Sequence, residues 1–276
     1  MDISYLYTPA LRVESLIAHL DSIEADMVVV DLEDSTHIKA KGDARNRVSN
    51  FDFSPLTERG IKLGLRINTI ASYDGLQDLN LIKAMYGSGN TALQHIFIPK
   101  ISHQNEVKIY RALFSTLPVT PKLYTFIETV EAVENAYGIA AESDALCFGQ
   151  ADLVSEMYSA NETFLNYARA RLCLAAARYS LLAIDTNSFE IKDIAKFESE
   201  CVTAKGCGFT GKAAIHPNQV AGINRVFELP KDTADRYQSC IDTYMNSDTG
   251  FAIKDGEVIA PPFIAKASRM LNLYRR

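Results

Sequence analysis

The chain has 276 residues and a formal net charge of −6. Hydrophobic residues make up 47% and charged residues 22%, which excludes a disordered chain, and 14 Gly with 9 Pro exclude a collagen-like or low-complexity one. No apolar run of about 18 residues exists, so no membrane span is expected, and the acidic balance argues against a nucleic-acid partner.

Met1, Asp2, Ile3 and Ser4 carry no basic segment ahead of an apolar run, so no signal peptide and a cytoplasmic location are expected. The five cysteines form no Cys-x-x-Cys pair and are expected to be reduced. In chain order, a strand is predicted at 3–7, a helix at 11–24 and a strand at 27–31. Further strands follow at 62–68, 95–100 and 122–128. A helix at 130–141 leads to a strand at 145–149, and a helix at 162–179 to a strand at 181–185. A helix at 193–205, a strand at 213–216 and a helix at 218–227 complete the pattern. The strands are nearly continuous apolar runs, as in a parallel sheet buried on both faces. About eight such βα units predict a TIM (β/α)8 barrel over residues 1–229; a doubly wound open sheet is the second choice. Residues 230–276 change character: a helix at 232–246, a hairpin-like stretch at 249–258, then Pro261, Pro262 and a last helix. They are expected to form a helical extension acting as a lid or in oligomerisation.

Active sites of such barrels lie at the C-terminal ends of the strands. There the sequence places Asp31, Glu33, Asp34, Arg66, Asn68, Lys100, Glu128, Asp152, Asp185 and His216. So many carboxylates at one mouth need a positive partner. Arg66 and Lys100 are candidates, and a divalent cation is another. An all-oxygen ligand set points to Mg2+, with Mn2+ as the alternative, rather than zinc. Glu128 and Asp152, 24 residues apart, stand one βαβ step from each other and could share that ion. Ordinary structural roles compete with these readings. Asp31 reads as a helix cap or structural acid, Lys100 as a solvated or salt-bridged lysine, and His216 as a satisfied rim histidine.

Six blocks, at 30–36 (VDLEDST), 65–68 (LRIN), 98–100 (IPK), 126–129 (FIET), 148–153 (FGQADL) and 211–219 (GKAAIHPNQ), occur in order along the chain. With them the sequence resembles the citrate lyase beta-chain-like family of the HpcH/HpaI aldolase superfamily. The resemblance implies a carbon–carbon lyase or aldolase that assembles as a homo-oligomer, trimer or hexamer, and acts on a small hydroxy- or keto-carboxylic acid. It assigns Mg2+ to Glu128 and Asp152. Arg66 would bind the substrate carboxylate or oxyanion, and Glu33 and Asp34 would order water and Arg66. Arg12 and Asn68 are further candidates for substrate binding.

Two departures stand out. Family members acting on acyl-CoA carry Pro-Gly-x-Arg-Pro after the first strand. Here Pro9, Ala10, Leu11, Arg12 and Val13 keep only the first proline and the arginine, which leaves binding of a CoA thioester open. The family's tail block, Ile-Asp-x-Pro, has its counterpart in Ile259, Ala260, Pro261 and Pro262, and alanine cannot transfer a proton. A catalytically silent barrel serving as a binding or assembly subunit is therefore the alternative.

Overall fold

The computed structural model describes residues 2–89 and 92–274. The eight strands are β1 (Ser4–Pro9), β2 (Met27–Asp31), β3 (Lys62–Arg66), β4 (Leu93–Ile98), β5 (Lys122–Ile127), β6 (Ala145–Phe148), β7 (Leu182–Asp185) and β8 (Gly211–Ala214). All pair in parallel in sequence order, and β1 closes on β8, so the sheet is a barrel without an edge. The TIM-barrel expectation holds.

Side-chain alternation fills the inside. Tyr5, Met27, Val29, Phe97 and Tyr124 form a buried cluster, and Phe97 packs on Tyr124 at 4.8 Å between ring centroids. Gly64 on β3 makes room for the Phe97 ring, since a Cβ there would stand 2.6 Å from Phe97 Cε2. One turn further up, the inward positions become polar. The registers Pro9↔Asp31 and Asp31↔Arg66 bring an acid and an arginine side by side at the mouth.

Two of the predicted helices are interrupted, and helices that the pattern did not delimit, among them Lys41–Asn50, Tyr73–Gly87 and Gln104–Phe114, follow β2, β3 and β4. Residues 11–24 form a broken path, a 3-10 turn (Ala10–Arg12), a short α-helix (Glu14–Ala18) and a second 3-10 turn (Leu20–Ser22). Ser15 and Ser22 donate their hydroxyls to the carbonyls of Arg12 and His19, which competes with a regular helix. The stretch 130–141 breaks at Asn135, whose Nδ2 donates to Ser102 O at 2.9 Å.

The described residues divide into two compact units, Asp2–Val226 and the chain from Phe227 onward. The second unit contains two helices, Lys231–Met245 and Pro261–Tyr274. Between them lies a hairpin of β9 (Ala252–Lys254) and β10 (Glu257–Ile259). Its two turn residues, Asp255 and Gly256, both have positive φ, as a tight two-residue turn requires. Cys240, Ala252 and Ile259 are its buried centre. Ala260 joins β10 to the last helix, and its carbonyl accepts from Phe263 and Ile264. Among the described residues no helix is long and apolar enough to cross a membrane. All five cysteines are free.

Closure of the barrel depends on Gly211, where a Cβ would stand 2.5 Å from Ile3 O and 2.9 Å from Ile3 Cα. Backbone cannot yield as a flexible side chain does. Gly211→Ala is expected to lower the unfolding free energy by about 1–3 kcal/mol in urea titrations; wild-type stability would show that the contact is relieved at no cost.

Candidate active site

Asp31 ends β2 and Arg66 ends β3. Arg66 Nε donates to Asp31 Oδ1 at 2.8 Å and Nη2 donates to Oδ2 at 2.7 Å. Asp31 also accepts the backbone N–H of Glu33 and of Ser35, so it caps the following loop as well. The reading of Asp31 as a structural acid holds, but it braces a loop and not a helix start, since the next helix begins only at Ile38, and it also holds Arg66 for the site. Tyr7 and Phe126 stand by the guanidinium at 5.5 and 5.7 Å. Nη1 is left facing Glu33 Oε2 at 2.8 Å and Asp34 Oδ2 at 3.4 Å. Glu33 Oε2 is buried and lacks hydrogen-bond geometry to any partner. The Asp34 side chain is 60% exposed.

A second centre spans β4 to β6. Lys100, just past β4, is in the left-handed region at φ 55°. Its backbone N–H donates to Glu128 Oε1 at 2.6 Å, and its ammonium donates to Asp152 and lies 3.9 Å from Glu128 Oε1. The salt-bridged reading of Lys100 holds. Glu128 follows β5, its side chain is 1% exposed, and its Oε2 has no hydrogen-bond partner. Gly149 gives that carboxylate its space, because a Cβ would lie 2.4 Å from Oε2. Asp152 is in the first turn of the short helix Gln150–Glu156, where the helix dipole favours an acid.

Both centres open into one cavity of 270 Å³, lined by Asp31, Asp34, Arg66, Glu128 and Asp152 among others. Tyr7 and Cys147 also line it. Neither was singled out from sequence, although alternation along β1 and β6 turns both inward. Burial pushes the Cys147 thiol well up, so it stays protonated and is no nucleophile. Asn68 does not line the cavity. Its amide accepts from Lys41 and donates to Leu32 O and Asp78, and its side chain is used inside the protein. Arg12 is exposed on the 3-10 turn after β1 and does not line the cavity either. His216 Nδ1 accepts from Asn218 N at the start of the next helix.

Electrostatics separates the acids. Burial raises the Asp31 carboxyl, but Arg66 outweighs it and holds Asp31 below the usual range. Burial likewise raises Glu33, only partly countered by Arg66, to about 8. Burial raises Glu128 to about 7 against the pull of Lys100. Burial disfavours charge on Lys100, yet Glu128 and Asp152 together hold its ammonium above the ordinary lysine range.

Among the described residues no three His, Cys, Asp or Glu side chains group to hold a metal. The candidate donor set is the two carboxylates Glu128 and Asp152, and Mg2+ takes one or two with water and substrate oxygens completing its shell. The orphaned Oε2 of the buried Glu128 and the all-oxygen donor pair it forms with Asp152 on one cavity wall fit such an ion.

Fold and rim define a (β/α)8 barrel whose C-terminal mouth carries the two cation–carboxylate centres above and a third buried pair, Lys212 with Asp185, whose acid also lines the cavity. The chain belongs to the HpcH/HpaI aldolase/citrate lyase family, whose model matches residues 4–217. It is 25% identical to the mitochondrial citramalyl-CoA lyase of Homo sapiens, over 97% of this chain and 84% of that one. It is 27% identical to a (3S)-malyl-CoA thioesterase of Cereibacter sphaeroides, over 97% and 93%. Among solved structures, RipC from Yersinia pestis superposes with a TM-score of 0.70 at 30% identity, covering 84% of this chain and 97% of RipC. CitE from Mycobacterium tuberculosis, in complex with magnesium, acetoacetate and coenzyme A, shares the fold with a TM-score of 0.75 at 23% identity, covering 99% and 98%.

The raised acids make stability pH-dependent. A carboxyl that titrates near 8 when folded, against about 4.3 unfolded, binds more protons in the native state between those values. Stability of the metal-free protein therefore falls as pH rises from about 5 to 8. Glu33→Gln is expected to flatten that fall in urea titrations in EDTA at pH 5.5 and 8.5; an unchanged difference would contradict the assignment.

Proposed function

We propose that this chain is a Mg2+-dependent carbon–carbon lyase or aldolase acting on a small hydroxy- or keto-carboxylic acid. The observation that carries the reading is the buried Glu128 carboxylate, with its Oε2 unpartnered, which lines the same small cavity as Asp152 and Arg66 and shares the Lys100 ammonium with Asp152. Glu128 and Asp152 would hold the ion. Bound there, it supplies Lewis-acid polarisation of the substrate's keto or carboxylate oxygen. The human relative is named a lyase, and the CitE complex contains magnesium, which agrees.

The remaining work falls to the chain. Cleavage takes the proton from the substrate hydroxyl, turns that carbon into a carbonyl and leaves the bonding pair on the other fragment as an enolate, which then gains a proton. Arg66 is locked by Asp31 with Nη1 paired to Glu33 and Asp34, so its guanidinium stays in place while a substrate carboxylate or oxyanion takes the place of the exposed Asp34 on Nη1. Glu33, titrating near 8, can hold or release a proton at neutral pH. Asp34, exposed at the mouth, can pass one to water. The cavity volume suits a small acid, and any CoA arm would lie outside it. The changed turn at Ala10 and the alanine at 260 favour a free acid over the usual thioester; efficient turnover of malyl-CoA or citramalyl-CoA would overturn that part. The homo-oligomer, trimer or hexamer, belongs to the same reading.

Release of pyruvate, oxaloacetate or glyoxylate from candidate acids, with Mg2+ and with EDTA, tests the proposal. Arg66→Met is expected to lower kcat/KM by about 100- to 1000-fold, and Glu128→Gln to abolish the response to Mg2+. Undiminished activity in Glu128→Gln would overturn the reading. Metal binding with no product from any such acid would favour the silent binding subunit, which Ala260 supports.

A further inference from the structure

Lys100 touches the proposed metal carboxylates in two ways. Its backbone N–H is fixed on Glu128 Oε1 at 2.6 Å, and its ammonium donates to Asp152 while lying 3.9 Å from Glu128. Among the described residues no other Lys, Arg or His forms an ion pair with either acid. The residue accepts a left-handed φ of 55° to make these contacts, a conformation disfavoured for any residue with a Cβ. Glu128 Oε2 is nonetheless left without a hydrogen-bond partner. The ammonium thus lies where a divalent ion shared by Glu128 and Asp152 would lie. Two positive charges that close repel strongly in a site of low dielectric. The Lys100 side chain is 34% exposed, so it has solvent to move into.

We propose that Lys100 is a tethered counter-cation. Its ammonium bridges Glu128 and Asp152 while no divalent ion is bound and leaves Asp152 when one arrives, so that metal binding is an exchange of cations. The proposal rests on the reading of these two acids as the metal ligands. The backbone amide remains on Glu128 throughout, because the main chain and not a side-chain torsion places it. The built-in cation keeps the metal-free mouth from holding two uncompensated carboxylates, and it weakens Mg2+ binding.

Calorimetric titration of Mg2+ and of Mn2+ into the full chain tests this in wild type, Lys100→Met and Lys100→Gly. Methionine keeps the aliphatic stem; glycine keeps the amide and takes positive φ without strain. Both remove the ammonium. Kd is expected to fall about tenfold or more in both variants, and the metal-free Tm of Lys100→Met to fall and recover with saturating Mg2+. Binding seen only in the variants would support the exchange in its strongest form. Unchanged or weaker binding in Lys100→Met, with wild type binding, would overturn the exchange and leave the metal reading intact. Tightening confined to Lys100→Gly would trace to backbone relief and would overturn it as well. No binding in wild type or either variant would overturn the metal reading itself.

Discussion

Arg66 and Asp31 face each other across the β2–β3 register, and the charges around the mouth are arranged about that pair. Asp31 gives both oxygens to Arg66 and takes two backbone N–H groups from the loop after β2. One carboxylate therefore fixes the guanidinium plane and the path of the chain that carries Glu33 and Asp34. A bidentate pair is directional, so Nη1 is aimed before a ligand enters. Both partners are nearly buried, and removing one leaves an uncompensated charge worth about 3–5 kcal/mol.

The second centre is built differently. Lys100 pairs with Asp152, and at 3.9 Å with Glu128, through a flexible, partly exposed side chain, while its main-chain N–H is fixed on Glu128. Arg66 cannot leave Asp31 without exposing a buried ion. Lys100 can leave Asp152 because both of those side chains are partly exposed, and its backbone N–H stays on the buried Glu128. The mouth thus joins a rigid anion receiver to an adaptable cation seat. That division matches a reaction in which a substrate carboxylate needs a fixed partner and a developing enolate needs added positive charge.

Much of this was legible in the sequence because buried parallel strands are written as continuous apolar runs. Met27–Asp31 was read at its exact ends, and the other seven strands within about two residues. The break at Asn135 was not legible, because its cause is a hydrogen bond to Ser102, 33 residues away. Arg66, Glu128 and Asp152 were legible as rim residues because polar side chains end apolar runs there. Asn68 looked equivalent by alternation with Arg66. The strand stops at Arg66, however, and Lys41 and Asp78 draw Asn68 into the protein. The partners of Asp31 and Lys100 were illegible, since pairing across strands depends on register that one sequence does not state.

The central claim is that Glu128 and Asp152 form a divalent-cation seat in the cavity governed by Arg66. The most direct measurement is an anomalous difference map from crystals soaked with Mn2+ and a small keto-acid such as oxaloacetate. The account predicts a peak at about 2.0–2.2 Å from oxygens of both Glu128 and Asp152, with the keto-acid between it and Arg66. A map with no peak at these two carboxylates under saturating Mn2+ would contradict it.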